Sequence, residues 1–214
     1  MPELWNNTTG DVKVTRFAPG EIVPPTDYQP GDFILTHGNG FFSKLIRFGQ
    51  AIRFRGKNRK FAWWNHAALI VAEDGSLIEA LGAGVRNTNI SKYAPTEYHL
   101  VHLNPSLADR HDREQMVHFA RDCLGRKYGW AIIISISLSL LTGCKFSFGF
   151  DGEFICSGLV ARALERTSVI FLREPSHMMP ADLAKYFNIE APKPGTSRGQ
   201  IPPAPRFWKQ AGED

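Results

Sequence analysis

The turn Glu73-Asp74-Gly75 constrains this chain more than any other short stretch of it. It separates two apolar runs, 66–72 and 76–80. An Asp-Gly pair between such runs signals a hairpin, because the turns that match strand twist need residues tolerant of positive φ. Two strands joined so tightly lie antiparallel, which brings His66 and Glu79 onto neighbouring strands. Glu79 stands among Leu77, Ile78, Ala80 and Leu81, where a carboxylate is unfavourable unless paired. A histidine across the hairpin is its natural partner, although a solvent-facing carboxylate at a sheet edge is the plainer alternative.

Other strands are predicted over 12–17, over 33–36 behind the punctuation Pro30-Gly31-Asp32, and over 97–103. Helical spacing of apolar residues marks 41–54, 112–124 with Asp112 as cap and Gly125 as stop, 156–167, and 180–187 opening on Pro180. The class is therefore α+β, a small antiparallel sheet packed against helices. With 214 residues and 43% apolar content, one core is expected. The chain divides into an extended arm over 1–29, a folded domain over 30–190 and a Pro-rich tail over 191–214, where Phe207-Trp208 offers an aromatic pair for docking.

Charge excludes little. The formal net charge is +4, and the cations are dispersed apart from Arg53 to Lys60, which holds five. No recognition motif accompanies that run, so it reads as a solvated loop and no nucleic-acid partner is expected. Weak contact with an acidic cell-wall polymer or an anionic membrane surface stays open. Residues 130–141 are apolar but number 12, short of the ~20 a membrane-spanning helix requires. They read as a buried element, with an acyl-chain-binding segment as the alternative. The start of the sequence shows neither a basic nor an apolar leader region, so cytoplasmic residence or a non-classical route, as in a phage particle or an effector, is expected.

Three cysteines, Cys123, Cys144 and Cys156, lack paired or metal-binding spacing. The pairs His99/His102 and His111/His118 read as scattered surface residues. Neither a metal nor an organic cofactor is expected. Cys156 differs from the other thiols because it opens a helix, where unpaired amides and the helix dipole favour an anion. Such a position lowers a thiol's pKa and offers amides to a developing oxyanion. His66, at the head of its strand, is expected to project from a sheet edge into a cleft. A thiol and an imidazole that meet in space form a nucleophile and its base, with Glu79 orienting the ring. Taken singly, each residue has a plain structural reading; the three together define an acyl-transfer site.

Cys156-Ser157-Gly158-Leu159-Val160 resembles the nucleophile motif of the NlpC/P60 papain-like cysteine hydrolases. Further blocks of that family are recognisable as Pro30-Gly31-Asp32-Phe33, His66-Ala67-Ala68-Leu69 and Leu77-Ile78-Glu79-Ala80, but they precede the cysteine. That order resembles the circularly permuted branch, with the YaeF/YiiX-like proteins and the lecithin:retinol acyltransferase group. The resemblance spans about residues 30–187 and implies a papain-like fold and a cysteine peptidase or amidase. It implies a thioester acyl-enzyme and, by the commonest family activity, cell-wall-type peptide substrates. Lipid acyl transfer and a silent binding module are the alternatives. Gly125-Arg126-Lys127-Tyr128-Gly129-Trp130 resembles the family's Gly-x-x-Tyr segment, so Tyr128, with Ser157, is a candidate for substrate or oxyanion contact. Glu79 stands where the family often carries His or Asn.

Overall fold

The structure, a computed structural model, describes residues 12–38, 41–127 and 155–192. The candidate Tyr128, the thiol Cys144, the apolar run 130–141 and the pair Phe207-Trp208 lie outside them.

The strands are β1 (Val12–Phe17), β2 (Phe33–Thr36), β3 (His66–Ile70), β4 (Ser76–Leu81), β5 (Gly84–Asn89) and β6 (Tyr98–Leu103). They form one six-stranded antiparallel sheet in the order β1-β6-β2-β3-β4-β5. The helices are α1 (Phe41–Arg53), α2 (Arg110–Asp122), α3 (Cys156–Leu164) and α4 (Pro180–Tyr186). The α+β class is thus present, with a larger sheet than expected. Strand β5 is an addition to the expected strands: Gly84, with φ of +112°, turns the chain into a second hairpin. Strand β1 pairs with β6 and forms one edge of the sheet.

Period-two alternation gives the sheet two apolar faces. Phe33, Leu35, Leu69, Ile78 and Val101 pack against α2, α3 and α4. Ile34, Ala68, Ile70, Leu77 and Leu100 lie under Val23, Tyr28, Ile90 and Tyr93. Residues read as an arm therefore cover one face of the core.

Buried polar groups tie the layers. Gln50 donates to the carbonyls of Ala62 (3.2 Å) and Trp64 (2.8 Å) and accepts from the Ala181 amide (2.9 Å), joining α1, the approach to β3 and the start of α4. Asp32 accepts from Arg113 (2.9 Å) and from the amides of Leu103 (3.1 Å) and Gln29 (3.0 Å). Gly31, at φ +93°, makes this possible: a Cβ there would stand 2.9 Å from Arg113 Cγ. In α2 the cap is Asp109, and Asp112 completes a capping box three residues on.

Three sequence readings need correction. His99 is buried and tilts against Trp64 at 4.4 Å, and His102 is within 3.2 Å of Asp32. Strand β6 lies inside the sheet, so its histidines are not surface residues. Arg53 is not in a solvated loop either, since it closes α1 with a two-pronged pair to Asp182. The run continues through a 3-10 turn, Gly56–Phe61.

Candidate active site

His66 opens β3 opposite Thr36 of β2. Strand β3 is interior, so the ring projects from the end of the sheet and not from its edge. Asn65 fixes that end: its amide side chain accepts from the Gly38 amide (2.8 Å) and donates to the Gly38 carbonyl (2.9 Å). The ring's Nε2 stands 2.8 Å from Glu79 Oε2. Glu79 is fully buried on β4, and the hairpin alone brings the two together.

Glu79 gathers four donors. Its Oε2 accepts from His66 and from the Tyr93 hydroxyl, and its Oε1 accepts from Lys92 Nζ at 2.6 Å, with Arg86 Nε at 3.5 Å. Tyr93 also lies along the His66 ring, centroids 5.9 Å apart and planes at 27°. The sequence reading missed these three residues. Arg86 follows from the β4–β5 register, which pairs it with Glu79, and reading Gly84 as a hairpin turn would have found it. Lys92 and Tyr93 come from the 3-10 turn Ile90–Tyr93, which Asn89 caps through the Ser91 amide.

Cys156 is the first residue of α3. The helix packs against β3 and β4, and its Ser157 hydroxyl donates to the Met178 carbonyl at 2.5 Å. Gly158 lets the Pro175–His177 turn approach: a Cβ there would lie 3.2 Å from the Pro175 carbonyl. The helix is consequently buried on nearly every side, more than its amphipathic pattern suggested. Ser157 is corrected by the same contact. Its hydroxyl is turned inward and ties α3 down, so the side chain is not a substrate contact.

Cys156 and His66 lie close enough for each to shift the charge of the other. With Nε2 engaged by Glu79, Nδ1 is the ring nitrogen left for another partner. Burial disfavours charge on all three groups and would by itself push the thiol up, the imidazole down and the carboxyl up. Partners reverse each direction. The imidazolium of His66, together with the amides of Ala67 and Ser157, brings the Cys156 thiol below its ordinary 9.0. The Cys156 thiolate and Glu79 raise His66 from 6.5 to about 9. His66, Lys92 and Tyr93 bring Glu79 down from 4.5 to about 2. The three shifts act together: each moves its group toward the charged form, the thiol and carboxyl downward and the imidazole upward. Cys123 is the internal contrast: buried at the end of α2, its thiol is pushed up by that burial.

A thiol, an imidazole and a carboxylate so grouped are the side-chain types from which a nucleophile, a proton carrier and an orienter can be drawn. Among the described residues, no group of three or more His, Cys, Asp or Glu is placed to hold a metal ion. No helix among them is long and apolar enough to cross a membrane. Comparison with known proteins finds no matching family model and no matching curated protein.

Proposed function

We propose that the chain is a cysteine hydrolase that cleaves amide bonds through a thioester acyl-enzyme. The observation that carries this reading is the buried His66–Glu79 pair beside Cys156 at the start of α3, three elements meeting with the thiol pulled down and the imidazole held up. The Cys156 thiolate attacks the carbonyl carbon; a C–S bond forms and the carbonyl π electrons pass to oxygen. The oxyanion develops at the start of α3, where the Cys156 amide and the helix dipole oppose its charge. Collapse restores the carbonyl and breaks the C–N bond, while Nδ1 of His66 gives its proton to the departing amine. Water then attacks the thioester, His66 takes its proton, and the thiolate leaves. Throughout, Glu79 keeps the ring in orientation and stabilises the imidazolium.

The order of motifs, histidine and carboxylate before cysteine, supports a papain-like fold of the circularly permuted NlpC/P60 type. By that resemblance the first substrate class is a cell-wall-type peptide amide. Lipid acyl esters or amides are the second, favoured by the apolar run 130–141 of the sequence.

The deciding experiment pairs a thiol-directed probe with a substrate screen, on wild type, Cys156→Ala and His66→Ala. Fast neutral-pH labelling, abolished by Cys156→Ala and slowed by His66→Ala, is expected together with turnover of an amide or acyl substrate. Slow labelling shared among all cysteines and indifferent to His66 would make the chain a binding module.

A further inference from the structure

Away from the catalytic chain, the segment that follows α3 presents the most exposed large apolar side chains among the described residues. Ile170 is 78% and Leu172 74% exposed. Between them Phe171 turns inward and packs edge-on against Tyr186 of α4, ring centroids 4.9 Å apart. The alternation holds the segment down by its middle residue and directs its two neighbours to solvent. An isolated exposed leucine is ordinary; two flanking an anchored aromatic make a protruding apolar tip.

The surroundings of that tip are basic. Phe171 and Leu172 share a groove of about 230 Å³ with Arg53, Asn58, Arg173 and Lys185. Asn58 lies within the turn Gly56–Phe61, which also carries Lys57, Arg59 and Lys60, and Arg55 precedes it. The acidic groups of the groove and of the ion pairs next to it are Asp182, paired with Arg53, Glu190, paired with Lys60, and Glu174 and Glu165, both paired with Arg162. The cations named here outnumber them, so the groove and the turn that enters it at Asn58 carry net positive charge. An apolar protrusion beside a basic groove complements an anionic bilayer: the side chains enter the headgroup and acyl boundary while the cations face lipid phosphates. A nucleic acid or acidic polymer would use the groove and leave the apolar tip unemployed.

We propose that this surface docks the protein on anionic membranes, with Ile170 and Leu172 inserting and the Arg55–Lys60 run supplying the charge attraction. The groove extends to Met178, whose carbonyl holds Ser157, so docking sets the start of α3 close to the lipid surface. The proposal does not depend on the chemistry assigned to Cys156.

The test is sedimentation of the full chain with sucrose-loaded vesicles of phosphatidylcholine alone or with 30% phosphatidylglycerol. Partition onto the anionic vesicles is expected, falling with added salt. Replacing Arg55→Gln and Lys57→Gln is expected to weaken it about fivefold per charge. The pair Ile170→Ser and Leu172→Ser is expected to weaken it about tenfold per side chain. Both variants change exposed residues, and circular dichroism with thermal melting verifies that they fold. Absence of partition at low salt would overturn the proposal. Partition that needs the cations but ignores Ile170 and Leu172, matched by equal binding to heparin, would overturn it in favour of a general polyanion surface.

Discussion

Replacing Glu79 with Gln tests the electrostatics of the site at its hub. Both carboxylate oxygens face donors only: His66 and Tyr93 at Oε2, Lys92 and Arg86 at Oε1. An amide must turn its NH₂ toward one of these pairs, so donor meets donor in a buried place. Moving the carboxyl from 4.5 to about 2 corresponds to about 3 kcal/mol favouring its charged form. The loss of stability in Glu79→Gln at pH 7 is expected to be of that order. Glu79's share is a depressed pKa: fully present above 4.5, it is lost as pH falls toward 2. His66, raised from 6.5 to about 9, acts oppositely: its contribution is whole below 6.5 and lost as pH rises through about 9. Denaturant unfolding of wild type and variant across pH is therefore expected to show a gap that narrows in acid. The reactive consequence is larger. Without the carboxylate the imidazolium weakens, and the thiol returns toward its ordinary 9.0, where ~0.1% is thiolate at pH 6. A loss of at most ~10³-fold follows, reduced to about 10–100-fold because a more basic thiolate is the better nucleophile. The assay is the alkylation rate of Cys156 by iodoacetamide, read peptide by peptide, from pH 5 to 10. A Glu79→Gln profile that overlays the wild type would refute this reasoning.

Tyr93→Phe removes one donor from Glu79 and leaves the apolar contact with His66; a stability loss of about 1 kcal/mol is expected. Its alkylation profile should keep the wild-type shape with a slightly narrower plateau, and an unchanged melting temperature would argue against the hydrogen bond. Ser157→Ala leaves the Met178 carbonyl unsatisfied, with an expected loss of about 1–2 kcal/mol and Cys156 reactivity retained. A loss of reactivity at full stability would return Ser157 to the substrate side of the site.

What was legible in the sequence was local. The Asp-Gly turn set two strands side by side, and two apolar runs flanking it placed His66 and Glu79 within reach. Cys156 could be put at a helix start from its spacing to Leu159, Val160 and Ala163. Tertiary placement was not legible. His99 looked superficial because nothing local says that β6 lies between β1 and β2, two strands distant from it in sequence. Tyr93 carries no periodic signal; a short 3-10 turn delivers it to Glu79. Ser157 was misread because a hydroxyl beside a nucleophile can serve substrate or scaffold, and only the approach of the Pro175–His177 turn decides. The small residues Gly158, Ala161 and Ala163 disguised how completely α3 is enclosed, since a helix packed closely on several sides needs little apolar bulk.

A structural ion-pair centre and an orienter of His66 are distinct roles for Glu79, and salt separates them. Lys92 and Arg86 reach it from the surface, with side chains 39% and 48% exposed, whereas His66 is 9% exposed. Exposed pairs contribute ~0–1 kcal/mol and fade with ionic strength. The screening length drops from ~10 Å at 0.1 M to ~3 Å at 1 M. A buried contact of 2.8 Å has no room for that atmosphere. If the carboxylate depends on its cations to stay charged, 1 M salt will weaken the imidazolium and shift the Cys156 alkylation profile toward higher pH. If His66 is its main partner, the profile will hold while overall stability falls slightly. The second outcome is expected, because both lysine and arginine approach Oε1 while Oε2, shared by the ring and Tyr93, is sealed from solvent.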